Sequence, residues 1–218
     1  MFSNKLIRKE ISSLEAKTSV KQLIDIMQSL EVSHYPIQYH GIFWGMIYLE
    51  DLFSINENDT ILEHLYLLQP FFIREDFNGM QLYENFYKND ANILPVLSFN
   101  NKFLGCILLK DMSKITMQIP MFKEEGCSLI ISTPTPNYSL GEVARIVENG
   151  NGKLLGVFIT EINAMRTEIS LKFNALNIND IIQTFRRFDY EIVSKHSEDL
   201  LAEELKDHSE YFDKYLNI

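Results

Sequence analysis

Residues 32–51 read Val-Ser-His-Tyr-Pro-Ile-Gln-Tyr-His-Gly-Ile-Phe-Trp-Gly-Met-Ile-Tyr-Leu-Glu-Asp. Two apolar runs rich in β-branched and aromatic residues flank a short polar tip ending at Gly41, which reads as a β-hairpin. The plan returns at residues 91–111: Ala-Asn-Ile-Leu-Pro-Val-Leu, a tip through Asn100, Asn101 and Lys102, then Phe-Leu-Gly-Cys-Ile-Leu-Leu-Lys-Asp. Pro36 and Leu23 precede Pro95 and Leu82 by 59 positions, while Gly45 and Asp51 precede Gly105 and Asp111 by 60. The copies therefore differ by one residue in the hairpin tip, and the first half of the chain is an internal repeat.

Working outward, Ser19 with Gln22 fits a capping box, and Val20, Leu23, Ile24, Met27 and Leu30 share one helical face before the first hairpin. Residues 61–68 read as a short apolar helix leading into the second copy. There Asn78 is the expected cap, and Leu82, Tyr83 and Phe86 take the places of Leu23, Ile24 and Met27. Gly79 stands where the first copy has Val20, which predicts a looser helix. A polar stretch with Pro120 and a Lys-Glu-Glu cluster before Gly126 marks a domain boundary.

The last third changes rhythm. Residues 127–132 form an apolar strand, and Thr-Pro-Thr-Pro-Asn at 133–137 a rigid loop. Ser139 with Glu142 caps a helix whose face is Leu140, Val143, Ala144 and Val147. Asn-Gly-Asn-Gly at 149–152 ends it with residues tolerant of positive φ. Residues 154–162 read as a buried strand. Ile169, Leu171 and Phe173 face inward along an alternating one, and Ile178, Ile181, Ile182 and Phe185 line the next helix. A last strand covers 190–193. The order β-α-β-β-α-β is the ferredoxin-like plan. Beyond it, Ser197 opens an acidic helix with Leu201, Leu205, Phe212 and Leu216 on one side, which packs on its own chain or on a second subunit. The expected divisions are 1–60, 61–118, 126–195 and 196–218, an α+β chain.

A net charge of -10 over 218 residues excludes a broad phosphate-binding surface, which needs clustered Lys and Arg, so no nucleic acid is expected. No apolar run is long enough to span a membrane, and the basic N-terminus lacks the apolar stretch of a signal peptide; a cytoplasmic protein is expected. Cys106 and Cys127 read as reduced core residues. The five histidines never fall into metal-ligand spacing. No nucleophile elbow, dinucleotide fingerprint or zincin motif occurs, and Gly-Asn-Gly-Lys at 150–153 leads from helix to strand, the wrong way for a phosphate loop.

The doubled unit resembles a tandem CBS-domain pair. Ser13 and Leu14 before the first helix, Pro36-Ile37 and Pro95-Val96, and the Gly-to-Asp endings at Gly45 and Asp51 and at Gly105 and Asp111 carry the likeness. The segment from 126 to 195 resembles an ACT-type domain, and the combination is similar to small bacterial CBS–ACT proteins of the acetoin-utilisation type. The resemblance implies two β-α-β-β-α repeats, a homodimer, and AMP, ADP, ATP or S-adenosylmethionine as a regulatory ligand between the repeats. It implies that Asp51 and Asp111 accept hydrogen bonds from ribose hydroxyls, a charge-assisted and hence strong kind. Tyr48 and Leu108 replace the usual hydroxyl three residues earlier. Ser13 keeps an early hydroxyl that Phe72 replaces in the second copy, so Asp51 and Ser13 are expected nearest the sugar. Tyr35, Pro36 and Leu94 complete the candidate ligand set.

Structural readings stand beside these. Asp51 and Asp111 also suit helix caps, the prolines suit strand starts, and Trp44, Tyr35, Tyr39 and Tyr48 suit a core or an interface. The reading is a non-catalytic regulatory protein with an unidentified regulated partner, against a scaffold with a degenerate cleft. An unfamiliar enzyme has least support.

Overall fold

The structure, a computed structural model, describes residues 6–194. The chain divides into two compact units, Met1–Thr116 and Met117–Ile218. The first is built twice over. In the first repeat β1 (Leu14–Glu15), α1 (Val20–Leu30), β2 (His34–Tyr39), β3 (Ile42–Tyr48) and α2 (Leu49–Leu52) follow in order. In the second, β4 (Ile73–Arg74), α3 (Gly79–Lys88), β5 (Ile93–Leu97), β6 (Phe103–Leu108), a 3-10 turn (Leu109–Asp111) and α4 (Met112–Thr116) do the same.

Each repeat makes a three-stranded sheet, β1-β2-β3 and β4-β5-β6, parallel at the first pairing and antiparallel at the second. The registers coincide: Leu14 faces Ile37 as Ile73 faces Val96, and Pro36 faces Met46 as Pro95 faces Cys106. Both hairpins slip at the same place, after Ile37 and after Val96. The first hairpin turns at His40 and Gly41, both at positive φ (51° and 73°), the two-residue turn that suits strand twist.

The helices cap as their sequences require. Ser19 Oγ accepts from the Gln22 N–H at 3.3 Å, and Asn78 with Gln81 forms a complete capping box. Val20, Leu23, Ile24 and Met27 are buried, with Leu82 and Phe86 their counterparts. Tyr83 departs from expectation: it is exposed, and its hydroxyl bonds the Thr116 hydroxyl. A phenol with a partner at the surface has no reason to follow Ile24 into the core. Residues 61–68 differ too. They form a 3-10 helix (Ile61–Leu67), capped reciprocally by Thr60 and Glu63 and kinked at His64, with Ile61 buried.

The repeats share their interior. Ile93, Cys106 and Leu108 of the second pack with Leu23, Met27, Ile37 and Met46 of the first. Two crossings join them. The segment before the first repeat pairs with β6, Arg8 N–H to Cys106 O at 2.7 Å and Cys106 N–H to Arg8 O at 3.2 Å. The linker before the second pairs with β3 in the same way, Gln69 N–H to Met46 O at 2.7 Å and Met46 N–H to Gln69 O at 2.9 Å. Ser33 and Asn92, equivalent positions 59 apart in the repeat, bond reciprocally: Ser33 N–H to Asn92 Oδ1 at 2.8 Å, Asn92 N–H to Ser33 Oγ at 3.0 Å. Asn92 Nδ2 adds a bond to Glu31 O at 2.9 Å. Asn92→Ala leaves a half-buried amide without its partner and is expected to lower the unfolding free energy by about 2 kcal/mol, read from a urea midpoint at unchanged slope.

The second unit runs α5 (Pro120–Lys123), β7 (Cys127–Pro134), α6 (Leu140–Asn149), β8 (Lys153–Ile162), β9 (Arg166–Asn174), α7 (Ile178–Arg187) and β10 (Glu191–Ile192). Its sheet is antiparallel in the order β10-β7-β9-β8, so from β7 onward the element order is ferredoxin-like. Ile169, Leu171 and Phe173 of central β9 pack with Val143, Ile146 and Val147 of α6 and Ile181, Ile182 and Phe185 of α7. Leu140 lies outside that face, exposed in the first turn, and Ile146 replaces it. The strand read as buried over 154–162 is the edge strand β8, half-buried or exposed throughout. β7 runs on through Pro134, and the rigid loop shortens to a 3-10 turn (Thr135–Asn137). Burial, and then the bond its hydroxyl gives Glu142 Oε2 at 3.0 Å, push the Tyr190 phenol up to about 12. The acidic helix expected over 196–218 lies outside the described residues.

Candidate functional site

Between the repeats of the first unit lies a cavity of about 370 Å³. Its walls are residues 30–32, where α1 ends, and Asn92 with residues 108–110, where β6 ends. Local chemistry opens it. Glu31 leaves the helix in the left-handed region at φ 56°, and Val32 N–H returns to Met27 O at 3.0 Å, turning the backbone away. On the other wall Leu109 N–H donates to Asn92 O at 2.8 Å, which holds the end of β6 open above the turn. Lys110 and Glu31 are exposed at the walls, and Val32 and Leu108 supply apolar surface. A volume of this size takes a small organic ligand.

None of the seven expected residues lines this cavity. Asp111 is next in sequence to Lys110, but its carboxylate is buried and engaged. Arg8 grips it in a fork, Nε to Oδ2 at 2.6 Å and Nη2 to Oδ1 at 2.9 Å, and Lys114 Nζ reaches Oδ1 at 2.8 Å. The Arg8 hydrogen bond, opposed by burial and joined by Lys114, holds its pKa down at about 2. Asp51, half-buried in α2, has no hydrogen bond or ion pair on its carboxylate among the described residues. Ser13 is buried and gives its hydroxyl to Gln38 Oε1 at 2.7 Å. Tyr35 and Leu94 are closed into the cores and Pro36 is buried on β2, so the side chains of these three serve as scaffold. Tyr48 stacks on buried His34 with ring centroids 4.8 Å apart, and Phe71 meets His34 edge-on at 5.3 Å. Burial lowers the His34 pKa, which keeps the ring neutral near pH 7. Phe72, where the first repeat has Ser13, carries the Arg74 guanidinium 4.8 Å over its ring.

Sequence reasoning missed Arg8, Glu31, Asn92 and Lys110. One signal was available: the repeat register sets Lys110 opposite Glu50 and Asn92 opposite Ser33, so the copies diverge at the cleft.

Each repeat thus has a parallel-then-antiparallel sheet with a proline in its central strand and an Asp-bearing turn behind its last strand. Residues 4–63 match the CBS domain. No curated protein matches the chain. Similar solved structures include a CBS domain pair/ACT domain protein from Thermotoga maritima, at 18% identity over 54% of this chain and 98% of that one, TM-score 0.48. The CBS domains of a transcriptional regulator from Streptococcus pneumoniae share 20% identity over 52% of this chain and 96% of that one, TM-score 0.45. CBSX2 in complex with AMP shares 17% over 54% and 96%, TM-score 0.43. These likenesses span about half of the chain. No helix among the described residues is long and apolar enough to cross a membrane.

Proposed function

We propose that the chain is a non-catalytic sensor whose CBS repeat and its internal copy bind an adenosine-containing nucleotide between them. The observation that carries this is the open cavity of about 370 Å³ between two halves of one register, with Lys110, Glu31 and Asn92 on its walls. Asp51, whose carboxylate is unengaged, does not line this cavity and stands beside its counterpart at residues 48–50, so the ribose of a ligand here is read by Asn92 and the cavity backbone. Ligand that binds one arrangement of the two repeats more tightly shifts the population toward it, which makes occupancy readable by a partner. We read the second unit as an ACT-like domain that holds subunits together in a cytoplasmic homodimer, in a protein of the acetoin-utilisation type. Amino-acid binding is not part of this reading, because no glycine occurs in the Pro136–Ser139 stretch where such a domain admits its ligand.

A second reading, a scaffold with a degenerate cleft, is favoured by Asp111, whose two oxygens Arg8 and Lys114 already occupy. Thermal shift with AMP, ADP, ATP and S-adenosylmethionine separates the two. A ligand at about a hundred times its dissociation constant stabilises by about 2.7 kcal/mol, and a scaffold responds to none of the four.

A further inference from the structure

The cavity at residues 30–32 and 108–110 has an equivalent position in the repeat register, its counterpart, 59 positions on at residues 89–91 and 60 positions back at residues 48–50. Their backbones agree. Glu31 and Asp90 are both left-handed, at φ 56° and 46°, and Leu49 N–H bonds Ser33 O at the 2.8 Å that Leu109 N–H keeps to Asn92 O.

Their side chains do not agree. Glu50 stands where the cavity has Lys110, and Tyr48 where it has Leu108. In the counterpart, burial first and then the carboxylates of Glu50, Asp90 and Asp51 raise the Tyr48 phenol, and Asp90 and Asp51 act on the His34 ring. Glu50 and Asp90 flank this position in sequence, and the stacked Tyr48 and His34 rings, 4.8 Å apart, stand where the cavity side has Leu108 and Ile93. Lys110 and Glu31 both line the cavity, and the charge of neighbouring Asp111 is already met by Arg8 and Lys114. The cavity sets one cation against one carboxylate, whereas the counterpart has the carboxylates of Glu50 and Asp90 and no cation at residues 48–50 or 89–91, so a phosphate group is favoured at the first position over the second.

We infer that the chain binds a single phosphate-bearing adenosine ligand, in the Lys110 cleft alone, with the Lys110 ammonium on the phosphate, while Tyr48, Glu50 and Asp90 exclude the same ligand from the counterpart. This rests on the nucleotide reading above and names its stoichiometry and ligand charge.

Isothermal titration of the full chain with AMP, ATP and S-adenosylmethionine, in separate runs, tests it. The variants are Lys110→Glu and the double variant Tyr48→Leu, Glu50→Lys, which copies residues 108 and 110 into the first repeat. Residues 50 and 110 are exposed, and unchanged melting temperatures report intact folds. One equivalent of AMP or ATP is expected in the parent, at least tenfold weaker binding in Lys110→Glu, and a second equivalent in the double variant. Two equivalents in the parent, no response to Lys110→Glu, one equivalent in a folded double variant, or binding of S-adenosylmethionine with AMP and ATP silent overturns the inference and leaves the sensor reading standing. Silence with all three ligands removes both.

Discussion

A Gly105→Val chain is expected to lose about 4 kcal/mol of stability, close to half of what a small domain has in hand. Gly105 sits at φ +136°, where a side chain is strained whatever the space around it. There is also no space. A Cβ built there comes 2.6 Å from Arg8 O and 2.9 Å from Ile7 Cγ2, and Arg8 is held to Cys106 by both its N–H and its carbonyl. The leading segment must leave β6 for the side chain to fit, and with it goes the Arg8 grip on Asp111. Gly45 is the matched control. Its Cβ would meet Gln69 O at 2.9 Å, at a φ that an L residue tolerates, so Gly45→Ala is expected to cost about 1 kcal/mol. Urea unfolding of both variants measures the difference. A Gly105→Val chain within 1 kcal/mol of its parent would mean that the leading segment is not seated on β6.

The second large effect depends on pH. Asp111, ordinarily near 3.8, is held at about 2, so the folded chain favours its charged form. That stability is fully present above about pH 4 and is lost as pH falls through the interval down to about 2. Arg8 supplies the largest part of the shift, and its side chain is a third exposed, which screens the pair. Arg8→Ala is therefore expected to cost about 2 kcal/mol at pH 7 and only a small part of that at pH 2, where the parent's carboxyl is already half protonated and the variant's almost wholly so. Denaturation midpoints taken from pH 7 down to pH 2 give the comparison. Coincident curves for parent and variant would show that the pair contributes no net stability.

Several readings that failed did so for one reason. The apolar run at 154–162 suits a buried strand, yet β8 is an edge, because position in a sheet depends on which strands arrive beside it. Leu140 and Ile146 fit the α6 pattern about equally well, and the packing of α6 with α7 chose Ile146. Tyr83 shares a helical face with Leu82 and Phe86 but had a surface hydroxyl to meet. In each case a periodicity marks a residue as able to be buried, and the neighbouring element decides whether it is.

By itself the sequence determined the duplication, the proline and glycine strands, the helix caps and the ferredoxin-like order of the second unit. These rest on interactions between residues a few positions apart, or on a pattern repeated 59 or 60 positions later. Only the tertiary structure decided why Gly45 and Gly105 must be small, where Asp111 finds its cation, and which cleft stays open. The Arg8–Asp111 pair spans 103 positions, and each glycine yields to a backbone that arrives from before the other repeat. Such meetings follow from the crossing of whole segments, and no local pattern in the chain records them.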